Sequence, residues 1–189
     1  EKKFKALQEY EWLYETREFN IDNFSNIKKE IRDKLKNDFN TDMISMEKKQ
    51  EDDLVKKYLF KLNDGEYIEA VIMHHDYGSS ICVSSEVGCN MACKFCESGR
   101  QKKVRNLEAY EIVEQILVIE HDLQIRLSSV VIMGIGEPLD NYENIIKFIK
   151  IINDPKGIAI GARHITLSTC GLVPKIYELA ELSLQINLA

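Results

Sequence analysis

Apolar residues recur at helical spacing from the start of the chain, and Phe4, Leu7, Tyr10, Trp12, Leu13 and Tyr14 predict an amphipathic helix over 4–15. A second stripe, Phe24, Ile27, Ile31, Leu35 and Phe39, repeats every three or four residues behind Asp22 or Asn23 as the cap and predicts a second helix. Residues 40–53 are polar and without period, a linker or an irregular edge strand. Strands are predicted over 54–62 and 66–73, joined at Asn63-Asp64-Gly65, where the Asp-Gly step favours a tight hairpin. Tyr77-Gly78 turns the chain into a short strand at 80–84, and a helix over 107–123 buries Ile112, Val113, Ile116, Leu117 and Ile119. The rhythm then alternates: strand 129–133, helix 142–153, strand 164–169, helix 174–182, and a strand from 185 onward. Such alternation predicts an α/β fold with a parallel sheet, helices over it and ligands beyond the carboxyl ends of its strands. The run Val130-Val131-Ile132-Met133 reads as a strand buried on both faces.

Length and composition narrow the class. A chain of 189 residues accommodates one domain with a real core, or a small domain attached to part of a larger one. It opens at Glu1 without Met and stops in the apolar run Gln185-Ile186-Asn187-Leu188-Ala189, which suggests a fragment cut inside a strand. No apolar segment approaches the roughly 20 residues of a membrane span. Five cysteines, three of them in one loop, fit a reducing cytoplasm better than a disulfide scaffold. The net charge of -6 argues against a globally basic nucleic-acid binder but leaves local patches open. Two such patches stand out: Arg100, Lys102, Lys103 and Arg105 beside the cysteine loop, as a candidate polyanion contact, and Lys28, Lys29, Arg32, Lys34 and Lys36 on what reads as a charged helix surface.

The chemistry concentrates in Cys82-Val83-Ser84-Ser85-Glu86-Val87-Gly88-Cys89-Asn90-Met91-Ala92-Cys93-Lys94-Phe95-Cys96. Cys89, Cys93 and Cys96 offer three soft thiolates to zinc or an iron-sulfur cluster and leave one ligand position unfilled. After the strand at 129–133 comes Met133-Gly134-Ile135-Gly136-Glu137-Pro138, whose glycines admit a ligand close to the backbone and whose acid can accept from an ammonium group. The next strand end, Thr166-Leu167-Ser168-Thr169-Cys170-Gly171, places hydroxyls on the same rim, able to reach a carboxylate or a ribose. His74, His75 and His164 are given no role, and Cys170 reads as a packing residue.

The CxxxCxxC loop resembles the cluster loop of radical S-adenosylmethionine (SAM) enzymes, and the Gly-Glu-Pro step resembles their SAM-binding motif. Together CVSSEVGCNMACKFC, RNLEAYEI, VVIMGIGEPLDNY and RHITLSTCGLVP resemble the RlmN/Cfr family of radical SAM RNA methyltransferases, nearer the RlmN form because Pro138 follows Glu137. The resemblance implies a partial, truncated (βα) radical SAM barrel over 81–189, preceded by a helical accessory domain of RNA-binding type over 1–45 and a linker with a β-hairpin extension over 46–80. It implies a 4Fe-4S cluster on Cys89, Cys93 and Cys96, and SAM held by Gly136, Glu137 and Ser168. Glu69 takes the place of the family's proton acceptor, and Cys82 that of the cysteine that releases product through a disulfide with a methyl-carrying cysteine in a later segment. Without the resemblance, Cys82 reads as a buried strand residue and Glu69 as an outward one. The implied activity is methylation of adenosine carbon 2 in 23S rRNA and tRNA, fed by a reductant such as flavodoxin or ferredoxin, with these 189 residues inactive alone. The alternatives are methylation of carbon 8, as in Cfr-type relatives, and a non-catalytic metal-binding RNA module.

Overall fold

The structure, a computed structural model, describes residues 2–39 and 43–189. The chain opens with α1 (Lys2–Glu11), continued by a π-helical turn over Trp12–Thr16 that ends where Arg17 enters the left-handed region at φ 59°. A 3-10 turn at Ile21–Asn23 follows, capped by Asn20, whose side chain accepts from the Asp22 amide at 3.0 Å. The second helix, α2 (Lys29–Asp38), starts later than the apolar stripe predicts, because the 3-10 turn takes up the first apolar positions. Ile21, Phe24 and Ile27 form a small core with Trp12, Leu13, Ile31 and Leu35, and the Trp12 ring stacks on Phe24 with centroids 5.2 Å apart. Phe4 and Phe39, expected in this core, are exposed.

The polar stretch after residue 42 does form an edge strand, β1 (Ser45–Glu51), with a bulge between Met46 and Lys48. It pairs antiparallel with β2 (Val55–Lys61), which turns through Gly65 at φ 91° into β3 (Tyr67–His75), as the Asp-Gly step predicts. Then come β4 (Gly78–Val83), the short pair β5 (Glu86–Val87) and β6 (Arg105–Asn106), α3 (Ala109–Leu123), β7 (Ser129–Ile132), α4 (Tyr142–Asn153), β8 (Ile165–Leu167), α5 (Val173–Glu181) and β9 (Asn187–Leu188). Helix α3 begins with a reciprocal cap, in which the Glu108 side chain accepts from the N3 amide and the Glu111 carboxylate from the Glu108 amide.

One seven-stranded sheet runs β1-β2-β3-β4-β7-β8-β9, antiparallel up to β4 and parallel beyond it. Its two faces differ sharply. Tyr58, Phe60, Ile68, Ala70, Ile72, Ile81, Val83, Val130, Ile132, Ile165 and Leu167 share one buried core with Ile112, Ile116 and Ile119 of α3 and Ile145, Phe148 and Ile149 of α4. The opposite face, carrying Glu69, Val71, Cys82, Val131 and Thr166, is only half-buried. The expectation that residues 130–133 are covered on both sides is therefore corrected: alternate positions of β7 are half-open and Met133 is 54% exposed, since helices lie on one side of the sheet.

The N-terminal module docks on α3 through the Arg17 guanidinium on the buried Glu120 carboxylate and through Arg126, which donates to the Glu15 carbonyl at 3.0 Å. Between module and helix lies a cavity of about 360 Å³ lined by Tyr14, Phe19, Phe24, Tyr110, Val113 and Glu114. Burial pushes the Glu114 carboxyl up to about 7 even though the Ile44 amide donates to it at 3.0 Å. Among the described residues no helix is long and apolar enough to cross a membrane.

Candidate active site

The loops leaving β4, β7 and β8 meet on one rim of the sheet. The exit of β4 is fixed by a buried side chain: Ser84 N–H donates to Gln115 Oε1 at 2.9 Å, and Gln115 Nε2 donates back to the Ser84 carbonyl at 3.1 Å. The Ser84 hydroxyl donates to the Glu69 carbonyl at 2.6 Å and accepts from the Ile135 amide at 3.0 Å. One serine thus joins β3, β4 and the loop after β7.

Glu86, at the base of the cysteine loop, is a buried carboxylate with two commitments. Its Oε1 lies 2.5 Å from Lys103 Nζ, and its Oε2 accepts from the Glu137 amide at 3.1 Å. Lys103 also reaches Asp140 at 2.6 Å, so a single ammonium serves two acids. Burial raises the Glu86 carboxyl above its ordinary range, and Lys103 opposes that shift. Gly136, at φ 107°, lies against the stem of Glu86: a Cβ there would stand 2.6 Å from Glu86 Cβ. The backbone at this point has room for glycine alone.

The cysteine loop itself is closed by backbone bonds. The Cys89 amide donates to the Gln101 carbonyl at 2.9 Å, Cys96 to Cys93 at 3.1 Å and Gly99 to Cys96 at 3.1 Å. Ala92 turns the chain between the first two cysteines at φ 50°. All five thiols are free; Cys89, Cys93 and Cys96 are half-buried, and Phe95 beside the last is 94% exposed. Burial raises the Cys89 thiol, with Glu86, Cys93 and Cys96 adding to the effect, so the three sulfurs are electrostatic neighbours. Among the described residues no three His, Cys, Asp or Glu side chains converge as the donor set of one metal ion. Three free thiols on a loop closed by its own backbone nevertheless suit a cluster, whose thiolates bind separate irons and so stand farther apart than the donors of one ion.

Glu137 is 3% exposed and receives three donors: the Leu139 amide on Oε1 at 3.0 Å, the Thr169 hydroxyl on Oε1 at 2.7 Å and the Cys170 amide on Oε2 at 2.7 Å. An ionised carboxylate has about four acceptor positions, and the Cys170 thiol faces the one these three donors leave. Ser168 lies half-buried at the end of β8, its amide donating to the Ile132 carbonyl at 3.1 Å. Glu69 and Cys82 occupy the open sheet face of neighbouring strands: Cys82 pairs with Val71, and Glu69 lies one alternate position away. The Glu69 carboxylate pairs with Lys57 at 2.8 Å, and burial raises the Cys82 thiol.

Several functional contacts escaped the sequence reading. Thr169, the Cys170 amide, Glu86, Lys103 and Gln115 act across separations of 31 to 51 residues or from unremarkable positions, and only the place of Thr169 beside Ser168 hinted at its role. Two expectations are corrected. Cys170 is exposed rather than packed, its thiol raised to about 11 by desolvation and by Glu137. In the basic run after the loop, Lys103 is spent on Glu86 and Asp140, and Arg105 on Asp64 at 2.6 Å and on Glu111 through paired contacts of 2.7 and 2.8 Å. Those two cations are engaged within the fold, which leaves Arg100 and Lys102 as the exposed members of the run.

A family model for the radical SAM superfamily matches residues 83–188, and one for the ribosomal RNA large subunit methyltransferase N-terminal domain matches residues 1–40. Curated relatives named probable dual-specificity RNA methyltransferase RlmN share 49% identity in Clostridium novyi, 50% in Spiroplasma citri and 51% in Bacillus pumilus, each over 100% of this chain. The chain belongs to the RlmN family of radical SAM proteins. It spans 56%, 56% and 54% of those three RlmN relatives. A crystal structure of a radical SAM methyltransferase from Sphaerobacter thermophilus superposes with a TM-score of 0.91 at 33% identity, over 98% of this chain and 56% of that one. Radical SAM proteins as a family use SAM and a 4Fe-4S cluster.

Proposed function

We infer that this chain carries the cluster and SAM half of an RNA methyltransferase that modifies carbon 2 of adenosine in 23S rRNA and tRNA. The observation that carries the reading is the bonding of three rim loops to one another: Glu86 before the cysteines holds the Glu137 amide, and Glu137 holds Thr169 and the Cys170 amide. Cys89, Cys93 and Cys96 would hold a 4Fe-4S cluster, which would supply the reducing electron for the SAM-dependent radical chemistry that the unreactive ring carbon of adenine requires.

The chain's own residues supply orientation. Glu137 would take the methionyl ammonium of SAM in place of the Cys170 thiol, Gly136 would let the backbone approach, and Ser168 would offer its hydroxyl from the next strand end. Glu69, on the open sheet face and paired with the Lys57 ammonium at 2.8 Å, takes the proton lost from the target carbon. Cys82, on the same face one strand over, would attack the sulfur of a methyl-carrying cysteine outside this sequence, forming a disulfide as the bond from that sulfur to the modified base breaks and its electron pair passes to the base. A cytoplasmic setting and a low-potential donor such as flavodoxin or ferredoxin complete the reading.

Anaerobic reconstitution with iron and sulfide tests it. A brown protein whose cluster spectrum changes on adding SAM is the expected result. A colourless protein retaining one zinc would point instead to a metal-stapled RNA module and overturn the reading. With the intact enzyme, mass analysis of the methylated adenosine distinguishes carbon 2 from carbon 8.

A further inference from the structure

The lysines of β1 and β2 are sorted between the two faces of the sheet. On the covered side, Lys49 and Lys56 are neutralised by Glu51 and, for Lys49, by Asp122 at 2.8 Å, which also accepts from the Tyr58 hydroxyl at 2.7 Å. On the open side the register sets Lys48 opposite Leu59, Lys57 opposite Val71 and Lys61 opposite Tyr67. Lys48 and Lys61 are exposed, and among the described residues neither has an ion-pair partner. The one carboxylate on this face among the register-paired residues of β1 to β4 is Glu69, already engaged by Lys57. Tyr67, 44% exposed, adds an aromatic ring directly across from Lys61.

This unneutralised surface runs straight into the candidate active site. Lys48, Leu59 and Glu69 form one row across three strands, and Lys57, Val71 and Cys82 form the next. Two inter-strand spacings, about 10 Å, separate Lys48 from Glu69, a distance on the scale of a nucleotide. In the basic run after the cysteine loop Lys103 and Arg105 are tied up internally, whereas Lys48 and Lys61, like the exposed Lys102, are free to meet phosphate.

We propose that the open face of β1 to β3 is the track for the single-stranded RNA that flanks the target nucleotide, with Lys48 and Lys61 on phosphates and Tyr67 stacked on a base. The proposal rests on the reading of this family member as an RNA methyltransferase. Phosphate contacts give affinity that falls with salt, and an aromatic face gives affinity that does not depend on it.

Binding of a fluorescently labelled RNA stem-loop, followed by anisotropy over a range of salt concentrations, tests the assignment. The double variant Lys48→Ala/Lys61→Ala is expected to weaken binding about tenfold and to reduce the slope of log affinity against log salt by about 1.4, or about 0.7 per lost phosphate contact on a single strand. Tyr67→Ala is expected to weaken binding about 5- to 100-fold with the slope unchanged, while Tyr67→Phe retains wild-type affinity. The control Lys147→Ala/Lys150→Ala, which removes the same charge from the exposed side of α4, should leave both quantities unchanged. A double variant that binds like this control overturns the surface while leaving the RNA reading intact. Absence of any salt-dependent binding by the unaltered chain overturns the RNA reading and the surface with it.

Discussion

The Thr169 hydroxyl donates to Glu137 Oε1 at 2.7 Å and accepts from the Gly171 amide at 3.1 Å, so one side chain ties the loop after β8 to the buried acid after β7. Hydrogen bonds to charged groups contribute about 1.5–3 kcal/mol. Thr169→Val is therefore expected to lower unfolding stability by about that amount and to weaken SAM binding, whereas Thr169→Ser, which keeps the hydroxyl, retains both. Urea unfolding and calorimetric SAM titration of the reconstituted protein read the two effects.

Lys103 is the counter-ion for a fully buried Glu86 and for Asp140. Breaking a buried pair by removing one partner costs about 3–5 kcal/mol, because the remaining charge is left unpaired. Lys103→Met should destabilise the chain by that order, and adding Glu86→Gln should restore part of the loss. Equal melting temperatures for Lys103→Met and the unaltered protein would contradict this.

Gly136 has a conformation and a neighbour that exclude a side chain. Gly136→Ala should cost more than the roughly 1 kcal/mol of an ordinary glycine replacement, since a left-handed backbone is forced on alanine and Glu86 must move. Displacing Glu86 disturbs the Glu137 amide, so SAM affinity is expected to fall as well. Gly171, at φ 100° but with no atom within 4 Å of where a Cβ would stand, provides the comparison: Gly171→Ala meets strain without a clash.

Stability should also depend on pH through Glu114. Its folded carboxyl is raised to about 7 from an ordinary 4.5, so the folded state holds a proton that the unfolded chain has released. Stability therefore falls as pH rises from about 4.5 to 7 and is level above that, a penalty of about 3 kcal/mol. Glu114→Gln, which still accepts from Ile44, should match the unaltered protein near pH 4.5 and exceed it at pH 8. Urea denaturation at the two pH values checks the sign.

Local patterns were enough to reveal much of this molecule. The Asp64-Gly65 hairpin, the α3 stripe around Ile112 and Ile116 and the strand-helix alternation after residue 129 all form as periodicity and turn chemistry predict, since each depends on neighbours a few residues apart. Helix α2 starts later than the apolar stripe predicts because Asn20 caps a separate turn first. The hidden part of the site is the part made by distant partners. Gln115 holding Ser84, or Glu86 holding Glu137, leaves no mark in spacing, and only folding brings the pairs together. The one-sided cover of β7 was hidden for a related reason, because Val131 and Ile132 are equally apolar in composition though only one meets a helix.

The two oxygens of Glu86 answer to different masters, one reaching the segment that follows the cysteines and the other the turn beyond Gly136. Whatever sits on the sulfurs and whatever sits against the glycines must therefore share a common foundation. A shift of either bed drags its counterpart along, so the gap an electron would have to cross is set while the polypeptide folds, before any guest has arrived.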